Sequence, residues 1–234
     1  MALRCLFHVH TRRSFDSLLR PAAIVNRARK AGADLLIVTD HDSKGGSEDV
    51  AEIAGGNPPF VIVAGEYKTD KGDIIGLFLT EEIVSRNSNE VLCRIRQQGG
   101  LTVLPHPFKG HKLDEELLSQ IDLIETYNAR CTTSQNEAAV ALAARLQKPV
   151  IGGCDAHCGG EIGAVLTEFA CDPPRNEQDL RIALLAAPRT IVSKTVSRIY
   201  QPYSQLIKAC KTRNPLLFAY QIKQLAAVLV KEAF

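Results

Sequence analysis

The chain has no tryptophan, and aromatic residues make up only 6% of its 234 positions. Proteins that grip single-stranded nucleic acid stack bases on aromatic side chains along a basic groove. Few aromatics and a net charge of +2 give such a groove little support, so nucleic acid is not the favoured partner. No block of like charge forms a tail. No apolar run is long enough to span a bilayer, and the opening MALRCLFHVH lacks the apolar stretch and small-residue site of a secretory signal. The seven cysteines (Cys5, Cys93, Cys131, Cys154, Cys158, Cys171 and Cys210) contain no CxxC pair. This odd, scattered set reads as reduced thiols in a cytoplasmic protein, with zinc binding by cysteine as the alternative.

What is present is an ordinary globular composition, 45% hydrophobic and 23% charged, with enough apolar material for a sizeable core. Strands are expected at Leu3–Phe7, DLLIVTDHD, PFVIVAGEY, DIIGLFLT, LTVLPHP, IDLIETYN and PVIGGCDAH. Helices are expected from Pro21 to Gly32, from a Ser88 cap to Gly99, and along EAAVALAARLQ. This alternation predicts a mostly parallel sheet with helices outside. A closed barrel would carry its chemistry on the rim where strands exit; an open doubly wound sheet would carry it at a switch point. Residues 194–234 read as a helical extension broken at Pro202 and Pro215, packed on the domain of residues 1–193 or used in a homodimer contact.

Against that frame the six histidines are unevenly spent. His8 and His10 stand two apart at a strand end, so both imidazoles face one side. Alone, the pair is a metal site or a hydrogen-bonded polar edge. Asp16 follows on a loop as a ligand or a helix cap. Asp40, His41 and Asp42 tip the second strand, where a capped turn is the alternative. Glu66 ends VIVAGE, where it could bridge two cations or pair with Lys68. His106 lies between two prolines, and Asp155 and His157 repeat the spacing of two. Five histidines at strand exits, each beside a carboxylate, a proline or another histidine, would be a coincidence on independent structural grounds; only His111 stands apart. Mixed imidazole and carboxylate ligands suit borderline or hard divalent ions. There are too many for one tetrahedral ion, so two or three are expected: manganese, zinc or iron, with magnesium as a further option.

The motifs HVH, TDHD, GE, PHP and DAH follow one another as in the PHP (polymerase and histidinol phosphatase) family, which the chain resembles from His8 to about Phe169. The segment EAAVALAARLQKPVIGGCDAHCGGEIGAVLTEF is similar to the close of small stand-alone PHP phosphoesterases. The resemblance implies an α/β fold, a distorted (β/α)7 TIM-like barrel with a C-terminal helical extension and a trinuclear metal centre. It implies His8, His10, Glu66 and Asp155 on the first metal. Glu66 would bridge to a second, shared with His106, and Asp16, His41 and His157 would hold a third. Many relatives place a histidine on the strand after the bridging glutamate. Here Asp73 stands there, a ligand for harder ions or the mark of a weak second site.

The expected reaction is hydrolysis of a small phosphomonoester (a nucleotide, sugar or amino-alcohol phosphate) by a metal-bridging hydroxide attacking phosphorus in line. Arg130 and Asn128 in YNAR, with Arg13, Lys68 and Lys109, are the candidate phosphate or substrate contacts. His41, His157 or Asp42 could protonate the leaving oxygen. A nuclease or phosphodiesterase, a non-catalytic metal-binding module and a C–N bond hydrolase are the alternatives.

Overall fold

A computed structural model of the chain describes residues 2–233. Nine strands form one sheet in the order β7-β6-β5-β4-β3-β2-β1-β8-β9. They are β1 (Leu3–Val9), β2 (Leu35–Val38), β3 (Phe60–Thr69), β4 (Gly72–Leu77), β5 (Leu101–Leu104), β6 (Leu123–Asn128), β7 (Val150–Gly153), β8 (Val165–Phe169) and β9 (Arg189–Ser193). Around them lie α1 (Pro21–Lys30), α2 (Gly45–Ala54), α3 (Ser88–Gln97), α4 (Glu115–Ser119), α5 (Thr133–Leu146) and α6 (Glu177–Ala186). Two more helices, α7 (Tyr200–Lys211) and α8 (Pro215–Ala233), form the C-terminal part.

The first seven strands curl into a distorted, TIM-like barrel. Beyond Phe7, the exit of β7 bonds to β1: Cys154 N–H donates to Phe7 O, Ala156 N–H to His8 O and His10 N–H to Ala156 O, all at 2.9–3.0 Å. That seam decides between barrel and open sheet. The expectation of a mostly parallel sheet is corrected, because β1–β8, β3–β4, β4–β5 and β8–β9 pair antiparallel. The cause for β3–β4 is local. The Asp70–Lys71 turn in KTDKG folds them into a hairpin. It also returns Asp73, at the start of β4, to the end of the barrel where β3 finishes.

One cluster, with Phe7, Ile37, Ala64, Ile75, Val103, Leu123 and Ile151, fills the barrel interior. Two others pack the outer strand faces under the helices. Helix starts follow from local chemistry. Pro21 opens α1, where its missing N–H costs nothing, and Thr132 with Gln135 forms a capping box on α5. The expected Ser88 cap is corrected by one residue, since the Asn87 side chain accepts from Glu90 N and Ser88 is already helical. Pro202 is no breaker either. It lies in the first turn of α7, where no intrahelical N–H bond is lost, whereas Pro215 does start a new helix.

Candidate metal centre

Strand alternation and its interruptions aim the polar residues. Ile62 and Ala64 face the barrel interior, so Glu66, two further on, does too. Ile151 does the same for Asp155 through Gly153, where a Cβ would overlap Glu125 and crowd His8. The histidine pair of β1 needs more. Phe7 faces inward and Val9 packs outside, with a register shift between them. His8 occupies this bulge with φ 66°, which turns both His8 and His10 inward. His106 (φ 29°), Asp155 (φ 49°) and Asp42 (φ 55°) share this left-handed backbone, an uncommon conformation for such side chains that clusters at functional sites.

The side chains converge. His8 Nε2 is 3.5 Å from Glu66 Oε1 and 3.7 Å from Asp155 Oδ1; His10 Nε2 is 3.6 Å from Glu66 Oε2 and 3.4 Å from Asp155 Oδ1. His106 Nε2 lies 3.2 Å from Glu66 Oε1. Asp16 Oδ2 faces His41 Nε2 at 3.4 Å and His157 Nε2 at 3.2 Å. Three sets, His8–His10–Asp155, His8–Glu66–His106 and His10–His41–His157, each have ligand atoms within 4.8 Å of one another. Asp73 lines the same cavity.

The test of fit is hydrogen bonding. His8 Nε2, His10 Nε2 and Asp16 Oδ1 are buried with no hydrogen-bond partner. Left so, each costs about 1–3 kcal/mol. Their tautomers are set from behind: His8 Nδ1 bonds Glu125 Oε1 at 2.8 Å, and His10 Nδ1 faces Ser14 Oγ at 3.3 Å, itself donating to Asp40 at 2.5 Å. That leaves each Nε2 lone pair aimed at the carboxylates, the arrangement metal-binding histidines use. Imidazole and carboxylate donors gathered this closely suit divalent ions.

Electrostatics divides the carboxyls. Burial opposes ionisation of Glu66, yet the imidazoles of His8, His41 and His106 around it hold its carboxyl well below the usual range. Asp155 is held low in the same way by Lys109, His8 and His10. For Asp73, burial and the nearby Glu66 win, and its carboxyl is pushed up.

Several expected phosphate contacts have other partners. Arg130 spends its fork on Glu161, Nε to Oε1 at 2.8 Å and Nη2 to Oε2 at 2.9 Å, while Nη1 reaches Ser204 Oγ. The guanidinium is largely buried by this pairing, yet Arg130 still lines the cavity beside Lys109 and Asp155. Arg13 pairs with Asp49 through two bonds of 2.7 and 2.9 Å and does not line the cavity. Asn128 donates to Glu125 and to Asp155 Oδ2, so it orients a carboxylate rather than a substrate. Asp42 lines the cavity, but its Oδ1 accepts from Arg86 and from Lys68 N, a poor arrangement for a proton donor. Lys68 and Lys109 do line the cavity, Lys109 with Nζ 3.4 Å from Asp155.

The structure adds residues the sequence reading passed over. Glu125 holds the His8 ring and accepts from His106 N at 2.7 Å; its only signal was an acid inside the apolar run IDLIETY. Glu161 accepts from the His157 and Cys158 amides. His111, set apart by sequence, packs 5.5 Å from the His106 ring and bonds Asp73 O through Nε2. Gln205 and Lys208 of α7 line the cavity, although the C-terminal segment shows no chemical motif.

A barrel with buried imidazole and carboxylate groups at its strand exits is an architecture suited to holding metal ions. A family model described as PHP-associated matches residues 133–187. The uncharacterised protein MJ1587 of Methanocaldococcus jannaschii is 31% identical over 136 residues, covering 52% of this chain and 80% of that protein. MJ0417 of the same organism is 37% identical over 123 residues, 47% of this chain, and the match spans about half (52%) of its length. A presumptive metal-dependent phosphoesterase from Bifidobacterium adolescentis has a similar fold (TM-score 0.57, 16% identity, 77% of this chain and 95% of that one). So does the lesion-specific endonuclease EndoQ of Pyrococcus furiosus (TM-score 0.60, 14% identity, 82% and 58%). The chain belongs to the PHP family. Among the described residues no helix is long and apolar enough to cross a membrane.

Proposed function

We propose that this chain hydrolyses a phosphate ester with the help of two or three divalent metal ions, and that its substrate is a small phosphomonoester. The observation that carries the reading is the convergence of His8, His10, Glu66 and Asp155, with two buried imidazole lone pairs unpartnered, beside a cavity of 210 Å³. Bound divalent ions supply an activated water at neutral pH and neutralise charge on phosphoryl oxygens. The chain's own part is positioning. Glu66 faces two ligand sets at once and would bridge them, while Glu125, Ser14 and Asn128 lock the rings and carboxylates that surround the reacting phosphorus. Lys109 and Lys68 bring positive charge to the wall of the cavity, where an anion gains from reduced solvent screening.

No nucleophilic serine or cysteine is needed. The proton of the leaving oxygen would come from water, or, where no third ion is bound, from the His41–Asp16–His157 group, in which both imidazoles face one carboxylate. The endonuclease likeness favours a diester reading; the small cavity, walled by α7, argues against a continuous strand.

The test is to purify the protein, measure bound metals, and assay p-nitrophenyl phosphate, its bis-ester, nucleoside monophosphates and short single-stranded DNA with added Mn²⁺. Monoester turnover lost in His10→Ala, together with metal, supports the proposal. Preferred cleavage of the bis-ester or DNA replaces it with a phosphodiesterase. Retained metal with no turnover of any substrate defeats it.

A further inference from the structure

Helix α7 is docked on the rim at two points. Ser204, Lys208 and Lys211, spaced four and three residues apart, share one helical face. At one end Ser204 Oγ accepts from Arg130 Nη1 at 2.9 Å, and Arg130 forks onto Glu161, which holds the His157 amide. At the other, Lys211 Nζ donates to the carbonyls of Arg12, Ser14 and Ser17 at 2.7–2.8 Å. One anchor is thus the loop bearing Asp16; the other is Arg130 on the loop after β6, tied through Glu161 to the loop bearing His157. The helix spans the gap between them, and Gln205 and Lys208 line the cavity.

The cations around this cavity differ in what they already hold. Arg130 is committed to Glu161, and Lys109 leans on Asp155. Lys68 and Lys208 have no carboxylate partner among the described residues; Lys68 is exposed, and Lys208 Nζ rests 4.7 Å from the Phe15 ring centroid. That ring in turn lies flat on His41, at 4.5 Å and 7°. The ammonium is one aromatic thickness from a candidate metal ligand, on a four-carbon stem that swings easily. A cation resting on an aromatic face is held more weakly than one in a charge-assisted bond to a phosphate oxygen.

We propose that α7 is the substrate-recognition wall of this site, with Lys208 binding the phosphoryl group of a small phosphomonoester and Gln205 contacting its leaving group. This rests on the phosphoesterase reading above and names the residues that choose the substrate. Lys208 would act beside Arg130, which lines the same cavity. Lys211 and Ser204 are positioning residues that hold the wall at its working distance from Asp16 and His157.

The experiment uses the full chain loaded with Mn²⁺, as wild type, Lys208→Gln, Lys208→Arg and Gln205→Ala. It measures KM and kcat for p-nitrophenyl phosphate and a nucleoside monophosphate, binding of inorganic phosphate by calorimetry, and metal content. In Lys208→Gln, KM rises and phosphate binding weakens by about tenfold, with kcat within about twofold and metal content unchanged. Lys208→Arg restores most of the phosphate affinity. Gln205→Ala raises KM for the nucleotide and leaves inorganic phosphate binding alone. An active wild type matched by Lys208→Gln in KM and phosphate affinity overturns the assignment and leaves the hydrolase reading standing. Lys208-dependent phosphate binding with no ester turnover sinks the hydrolase reading and keeps the anion site. Loss of metal in Lys208→Gln overturns the assignment, because Lys208 would then be holding the centre together.

Discussion

The two ends of this barrel are built from the same strands and could hardly differ more. Where β1, β3 and β7 exit, His8, His10, Glu66 and Asp155 are at most 4% exposed, and imidazole nitrogens point at carboxylates without hydrogen-bond partners. Where β1, β2 and β3 begin, Leu3, Leu35, Pro59 and Phe60 line a far larger cavity of 740 Å³ with Phe78 and Leu180. No group of three metal-liganding side chains lies there among the described residues. The larger cavity lies between the α6 segment and the strand starts; the smaller one is where the candidate metal ligands converge. Burying unpartnered polar atoms is costly, so evolution tolerates it where a ligand can repay the loss, whereas an apolar void costs only contacts.

The contrast is sharpest if each end is damaged separately. Asp155→Ala is expected to lower monoester turnover by roughly 10³-fold or more, while Leu180→Ala at the other end leaves kcat within about twofold; equal losses in steady-state assays would erase the distinction. Arg130→Ala leaves Glu161 buried and uncompensated between the His157 amide and α7. Urea unfolding should show a loss of about 3–5 kcal/mol, partly recovered by adding Glu161→Gln; a loss under 1 kcal/mol would make the pair peripheral. Glu125→Gln keeps the shape but weakens the partner of His8 Nδ1. Its metal affinity, read by titration against a competing chelator, should fall about 10–100-fold with little change in melting temperature. The smallest effect belongs to Arg13→Ala. Its pair with Asp49 is solvent-exposed and worth no more than about 1 kcal/mol, and KM for a monoester stays as in wild type.

The same contrast explains what was legible. Glu66 and Asp155 could be placed from sequence because alternation carries the inward face of Ala64 and Ile151 forward by two and four residues. The α5 cap at Thr132 and the β3–β4 hairpin turn have equally local causes, although the sequence pattern alone starts that helix at Glu137 and predicts a mostly parallel sheet. For Arg130, YNAR shows an arginine near a strand exit, and the structure does place it in the cavity lining, but not Glu161, 31 residues on, that takes its fork. Lys208 was hidden for the same reason, since nothing in a helical pattern tells which face meets a loop nearly 200 residues earlier. Strands β8 and β9 lie within or beyond the segment that family likeness covered, and their antiparallel pairing with β1 and each other follows no crossover pattern.

By itself the sequence determined the inventory: which imidazoles and carboxylates tip the strands, and which face of a regular strand they occupy, because a period of two is a property of neighbouring residues. Tertiary structure decided everything that depends on meeting. It drew β7 against β1, bulged the chain at His8 so that both imidazoles turned inward, assigned Arg130 to Glu161 and laid α7 across the rim. Those outcomes rest on pairings between distant segments, whose free energy is shared among many contacts and is written in no single window of the chain.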